Sequence, residues 1–413
     1  MRVARPCEPS ASIQRQHVGL SGLLRLWLAM TALLLLPVYA QAQFSSCVEQ
    51  LRIQEEAQGI PTAVFDRVMR GVEPDPKIVE LSEAQPEFVT PIWDYLASLV
   101  DAEKISDGRQ MLHKYDRVLR AAEKQFGVDR HIVLAVWGVE SDYGRLAGRY
   151  DLPQSLSTLA CTAPRRRDYF RSEFMAALKI VARGDLAPEK LRGSWAGAFG
   201  HTQFMPSTYL RLAVDGDGDG HANLVDSIPD ALYSTANFLR NGGWQPNAIW
   251  GYEVSVPARY AGPSGRTNKK PLKQWTKLGV TRLDGKALAG PGPAGLVLPA
   301  GSDGPAFLVF KNYDAIFSYN GATSYALAIA LLSEQVKGHG GVRARWPTDD
   351  PGLSRAEKRE LQRLLINRGY DVGEPDGAIG AKTRAAISDV QRRSNLSEDG
   401  RPGQKILTIL RGR

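Results

Sequence analysis

The sequence is poor in the side chains that build metal and redox centres, with three cysteines and six histidines among 413 residues. His113, His131 and His201 stand at no ligand spacing from one another, and no cysteine cluster accompanies them, which removes a zinc-centred reading. Gly-x-Ser-x-Gly and other nucleophile motifs are absent. No basic stripe interleaves with aromatics, so the formal charge of +8 does not point to nucleic acid. Beyond the N-terminal apolar run, no segment is apolar enough to cross a bilayer. Nothing calls for an organic cofactor or a second subunit, so a monomer is expected. What is present is an ordinary globular composition, 43 % hydrophobic and 23 % charged, in a chain long enough for two or three cores.

The N-terminus reads as a targeting segment. Arg2, Arg5, Arg15 and Arg25 precede or enter an apolar run from Leu23 to Val38, and Ala40-Gln41-Ala42 has the small residues of a cleavage site. Residues 1–42 are therefore expected to be a signal peptide, with Gln43 as the mature N-terminus; an uncleaved anchor is the rival reading. Cleavage also removes Cys7. Cys47 and Cys161 remain, and in an exported chain two cysteines suggest one disulfide closing a long loop, against two buried thiols. Losing four arginines and a glutamate leaves a milder positive excess, suited to a polyanionic surface.

From about Phe44 to Lys337 the chain is read as mainly α. Apolar residues fall at helical spacing in Leu51 to Gln58, Ile78 to Leu81, Val89 to Leu99 and Tyr115 to Phe126, and again from Ser324 to Val336. The stretch His131 to Val139 is apolar on nearly every side, the pattern of a helix inside a domain. Between about 251 and 310, Gly and Pro surround short β-like runs at Glu253 to Val256, Gly295 to Leu298 and Phe307 to Phe310, which predict a small, irregular β-rich insertion. Residues 338–352 read as a linker. Residues 353–413 predict a three-helix module: Ser354 and Glu357 form a capping box, Thr383 caps the second helix, and Asp376-Gly377 and Asp399-Gly400 make turns.

The chemistry centres on Glu140. A carboxyl placed after a run of apolar side chains loses hydration, which raises its pKa towards the range of a general acid. Asp142 is the obvious second acid, but residues two apart on a helix do not share a face, so it is read as a turn or cap. The stretch Ser194-Trp195-Ala196-Gly197-Ala198-Phe199-Gly200-His201-Thr202-Gln203-Phe204-Met205-Pro206-Ser207-Thr208 combines small residues, aromatic faces and directional hydrogen-bonding groups, as a sugar site requires.

Taken together, Glu140-Ser141-Asp142-Tyr143-Gly144, Ser194-Trp195-Ala196-Gly197 and Gln203-Phe204-Met205-Pro206-Ser207 resemble the B-family lytic murein transglycosylases, over roughly Phe44 to Val336. The resemblance implies a lysozyme-like α+β core and Glu140 as the single acid/base. It also implies that Ser194, Gln203, Phe204, Met205, Ser207, Thr208 and the later Tyr319 and Asn320 line a peptidoglycan groove in the periplasm. It further implies cleavage of the bond between N-acetylmuramic acid and N-acetylglucosamine without water, leaving a 1,6-anhydro ring. The alternatives are a lysozyme-type hydrolase using the same glutamate and a non-catalytic wall-binding scaffold.

Two further motifs complete the reading. Asp215, Asp217 and Asp219, with Gly220 at the sixth place and the His221 carbonyl at the seventh, match the way an EF-hand loop wraps a hard cation, and structural calcium is expected. Asp226 occupies the usual twelfth place; related transglycosylases close a longer loop with the aspartate opening the next helix, here Asp230. Leu361-Gln362, Gly369-Tyr370, Asp376-Gly377, Gly380, Thr383 and Asp399-Gly400 resemble the helical peptidoglycan-binding domain, departing where Val390 replaces an aromatic.

Overall fold

The computed structural model describes residues 42–83 and 90–412, so the export-signal reading falls almost wholly outside the described residues. The fold is organised around helix α7, Arg130–Ser141, whose residues Ile132 to Gly138 are all buried. Asp129 starts it by accepting a hydrogen bond from the His131 amide. Around it pack α4 (Ile92–Leu99), α5 (Ala102–Lys114), α6 (Asp116–Phe126), α11 (Ile228–Asn241) and α14 (Thr323–Val336), closing one large core. Each fully buried Val, Leu or Ile there stabilises the fold by about 1.5–3 kcal/mol.

A second core joins α8 (Leu152–Thr162) and α9 (Arg167–Ala182) to the N-terminal helices α1 (residues 42–57), α2 (Thr62–Val68) and α3 (Pro76–Glu83). A disulfide between Cys47 and Cys161 ties α1 to α8, with a Cα–Cα distance of 5.8 Å and a sequence separation of 114. The two cores meet near Tyr319, which packs against both. A two-stranded antiparallel ribbon pairs β1 (Tyr150–Asp151) with β2 (Arg192–Gly193), and Tyr150 packs against the second core.

The insertion is more regular than its sequence implied. It is a five-stranded antiparallel sheet in the order β4-β6-β7-β3-β5, with β3 at Gly251–Ser255, β4 at Gly265–Lys270, β5 at Thr281–Arg282, β6 at Ala294–Val297 and β7 at Ala306–Val309. Strand β4, Gly-Arg-Thr-Asn-Lys-Lys, is a polar edge strand without the alternation that marks a half-buried one. It is followed by α12, Leu272–Lys277, which buries Trp275 against the sheet.

At the C-terminus α15 (Arg355–Ile366), α16 (Ala381–Arg393) and α17 (Gln404–Leu410) surround their own small core. The Ser354–Glu357 capping box is formed. Thr383 does not cap α16, as had been expected; Gly380 occupies that place and Thr383 is buried one turn inside. Residues 338–352 contain no helix or strand, yet they do not hang free. The Glu253 carboxylate accepts from the Arg343 and Ala344 amides, and Trp346 packs on the large core.

Candidate active site

Glu140 and Ser141 occupy the last turn of α7, and the chain then leaves through two non-glycine residues in the left-handed region, Asp142 at φ 50° and Tyr143 at φ 56°. That turn folds the motif onto itself. Any Cβ at Gly138 would fall 2.6 Å from the Tyr143 ring, and one at Gly144 would fall 2.3 Å from the His201 ring. Only glycine fits at either place. Ser141 Oγ donates to the His201 carbonyl at 2.8 Å, and Trp137 Nε1 donates to His201 Nδ1 at 3.1 Å. The two motifs, some sixty residues apart in sequence, are thus stitched together by hydrogen bonds.

The Glu140 side chain is half-buried, and its Oε1 accepts a hydrogen bond from the Tyr325 hydroxyl. Tyr325 is buried on α14 and stacks against Tyr319, with ring centroids 6.1 Å apart and planes 20° apart. Tyr319 donates to the Thr202 carbonyl at 2.8 Å. Burial first, then the charge of Glu140, pushes both phenols well above their ordinary range, so both keep their protons. Asp142 turns to other work. Its carboxylate meets Lys104 Nζ at 2.8 Å, Arg145 at 3.0 Å and Arg355 at 2.8 Å.

The small-residue loop is tightly wound. Ser194 exchanges two hydrogen bonds with Ala198, its amide donating at 2.7 Å and its Oγ accepting at 3.0 Å. Gln203, at φ 50°, spends its amide nitrogen on the carbonyls of Ala147 and Gly200, which leaves Oε1 as the end it can offer a ligand. Met205 and Thr208 are half-buried and Asn320 is exposed. Two residues assigned to the groove are held elsewhere. Phe204 is 2 % exposed and packs against Phe238 and Tyr319. Ser207 gives both its amide and its hydroxyl to the buried Glu173 carboxylate, at 2.9 and 2.7 Å.

The acidic loop sits between α10 (Pro206–Leu212) and α11. Carboxylate oxygens of Asp215, Asp217 and Asp219 lie within 4.8 Å of one another. Three carboxylates at that spacing could together hold a hard cation such as calcium. Asp230, fully buried, accepts from the amides of Gly216, Asp217 and Asn223 and so gathers the loop, whereas Asp226 faces Lys190 at 3.0 Å. Loss of hydration and the nearby Asp217 charge raise the Asp230 pKa, partly offset by those amides. His221 gives its amide to Asp219.

Tyr325, six residues beyond Tyr319, is a partner of Glu140 that sequence reasoning passed over. Lys104 and Arg355, which hold the turn after Glu140, left no local signal; they come from 38 and 213 positions away from Asp142.

A helical, lysozyme-like core presenting one half-buried glutamate beside a loop of glycines and amides defines a glycan-cleaving enzyme. Residues 43–334 match the transglycosylase SLT domain, and residues 354–410 match the putative peptidoglycan binding domain. The chain belongs to the SLT-domain transglycosylases and carries a peptidoglycan-binding domain behind the catalytic one. It is 32 % identical over 249 residues to the membrane-bound lytic murein transglycosylase B of Escherichia coli K12, covering 59 % of this chain and 66 % of that relative. SltB3 of Pseudomonas aeruginosa, solved with NAG-anhNAM-pentapeptide, superimposes with a TM-score of 0.72 at 42 % identity, over 89 % of this chain and 99 % of SltB3. Slt35 of E. coli, solved with calcium, gives a TM-score of 0.63 at 28 % identity, over 70 % and 92 % of the two chains. Among the described residues of the present protein, no helix is long and apolar enough to cross a membrane.

Proposed function

We propose that this protein is a periplasmic lytic transglycosylase in which Glu140 alone serves as acid and then as base on the bond between N-acetylmuramic acid and N-acetylglucosamine. The observation that carries the reading is the environment of Glu140. It is half-buried and hydrogen-bonded by Tyr325, while its neighbour Asp142 is taken up by three cations. A two-carboxylate glycosidase needs a second acid facing the sugar. With Asp142 engaged elsewhere, the substrate itself has to supply what a second acid would.

Glu140 gives its proton to the bridging oxygen, and the departing N-acetylglucosamine takes it as a hydroxyl. The muramic acid's acetamido oxygen stabilises C1 as that bond breaks. Glu140, now a carboxylate, removes the proton from the C6 hydroxyl, whose oxygen bonds to C1 and closes the 1,6-anhydro ring. No water is consumed, and the glutamate ends protonated, ready for the next turnover. Tyr325 acts as a fixed donor to Glu140 in both states. Ser194, Gln203 through Oε1, Met205, Thr208, Tyr319 and Asn320 line the sugar path in this reading; Phe204 and Ser207 support it from behind.

Asp215, Asp217, Asp219 and the His221 carbonyl would hold a calcium ion, with Asp230 rather than Asp226 closing the loop. The ion would supply charge neutralisation and a rigid loop and take no part in the chemistry. The test is digestion of purified sacculi: the wild type should release soluble muropeptides and Glu140→Gln should release none. Release by the variant at the wild-type rate contradicts the proposal.

A further inference from the structure

The wall-binding module reaches into the turn that ends the catalytic helix. Arg355 opens α15. Its Nε donates to Asp101 Oδ2 at 2.9 Å, its Nη2 to Asp101 Oδ1 at 3.1 Å, and its Nη1 to Asp142 Oδ1 at 2.8 Å. One planar guanidinium therefore bridges the residue that caps α5 and the residue that caps α7. Lys104, from the first turn of α5, completes the cluster. Its buried Nζ donates to Asp142 at 2.8 Å and to the Gly138 carbonyl, in the last turn of α7, at 2.7 Å.

Asp142 needs such support. It is not a glycine, yet it holds φ at 50°, a conformation that costs of order 1 kcal/mol and persists only where neighbours over-determine it. Glu140 lies two residues before it. The cations that hold the Asp142 carboxylate thus fix the direction in which the last turn of α7, Glu140 included, is presented. Two of them, Lys104 and Arg145, belong to the catalytic domain; the third comes from the module. Arg355 is no chance surface contact, because the module is seated by a whole row of pairs. Arg401 forks onto Asp94 at 2.6 Å through both Nε and Nη2, Arg359 pairs with Glu103, and Lys358 meets Ser98.

We infer that Arg355 is a positioning residue for Glu140, its forked guanidinium holding the Asp142 turn in register, so that the peptidoglycan-binding module serves the chemical step as well as adhesion to the wall. This rests on the reading of Glu140 as the acid/base.

The experiment uses the full chain and a short soluble glycan that needs no wall adhesion, with kcat and KM measured separately. Misplacement of a catalytic group by a fraction of an ångström to an ångström costs up to about a hundredfold. Arg355→Ala is expected to lower kcat by roughly ten- to a hundredfold with KM changed less than about twofold. Its binding to intact sacculi should stay at the wild-type level. Arg355→Lys can pair with Asp101 or Asp142 but cannot fork to both, and should give an intermediate kcat. In an Asp142→Asn background the Ala variant should cost little more, since the coupled partner is already gone. Arg368→Ala, in the exposed turn just after α15, is the control and should match the wild type. Wild-type kcat in Arg355→Ala overturns the inference, as does an equal loss with and without Asp142. Should the Ala variant fail to fold, Arg355→Lys decides alone, and wild-type kcat there is again fatal. Glu140→Gln on the same glycan keeps the two claims apart: activity in that variant sinks the catalytic reading itself.

Discussion

A carboxyl that must first give a proton and then take one back needs to be held still and kept partly dry. Glu140 meets both needs through Tyr325, whose hydroxyl is fixed by burial on α14 and stays protonated. A hydrogen bond to a charged group contributes about 1.5–3 kcal/mol. Tyr325→Phe is therefore expected to lower kcat by roughly ten- to a hundredfold, which steady-state kinetics on soluble glycan would measure. Glu55 offers a separate test at this scale. It is 1 % exposed, both its carboxylate oxygens lack a hydrogen-bond partner, and burial pushes its pKa up to about 7 against the pull of Lys179. A carboxyl whose folded pKa lies above its unfolded one binds more protons in the native state between the two values. Stability should therefore fall as pH rises from about 4.5 to about 7, by roughly 2 kcal/mol after allowing for partial hydration, and level off above. Glu55→Gln should flatten that slope in a series of urea melts. An unchanged slope would remove Glu55 from the account.

Among the elements, legibility followed burial. Helix α7 could be read because its run Ile132 to Val139 is apolar on nearly every side, and the Ser354 capping box because its chemistry is local. Strand β4 could not, since its Arg-Thr-Asn-Lys-Lys run is wholly polar, lies at a sheet edge and carries no apolar alternation. Helices α8 and α9 were not singled out, although Leu152, Leu156 and Leu159 stand at helical spacing behind an Asp151 cap. At the site, residue type and order put Glu140 at the end of a buried helix and the three aspartates in one loop, which is where the structure has them. Phe204 and Ser207 were placed in the groove because a sequence cannot distinguish an aromatic facing a ligand from one facing Phe238, nor a free hydroxyl from one bound to Glu173. The Asp loop makes its own prediction. Binding of calcium to the native state alone should raise the midpoint of thermal unfolding, and a chelator should lower it again. The paired change Asp215→Asn and Asp217→Asn should abolish that response while leaving the melt in chelator close to wild type.

For the whole molecule, two helical cores meet at Tyr319, the sheet insertion has a core of its own, and the small core of the C-terminal module is bolted beside them by Arg355, Arg401 and the packed segment 338–352. Ion pairs at this seam are partly buried, so each depends on its partner; removing one leaves a carboxylate such as Asp101 short of hydration. Deleting residues 338–413 is expected to weaken binding to sacculi and to slow cleavage even of short glycans. A deletion that impairs sacculus digestion alone would confine the module to adhesion. The central claim, that one glutamate and no water cut the strand, is tested most directly by digesting sacculi in ¹⁸O-enriched water and weighing the muropeptides. The account expects 1,6-anhydro ends lighter than reducing ends by one water and free of ¹⁸O. Reducing muramic acid ends that acquire ¹⁸O during cleavage would contradict it and make the protein a hydrolase.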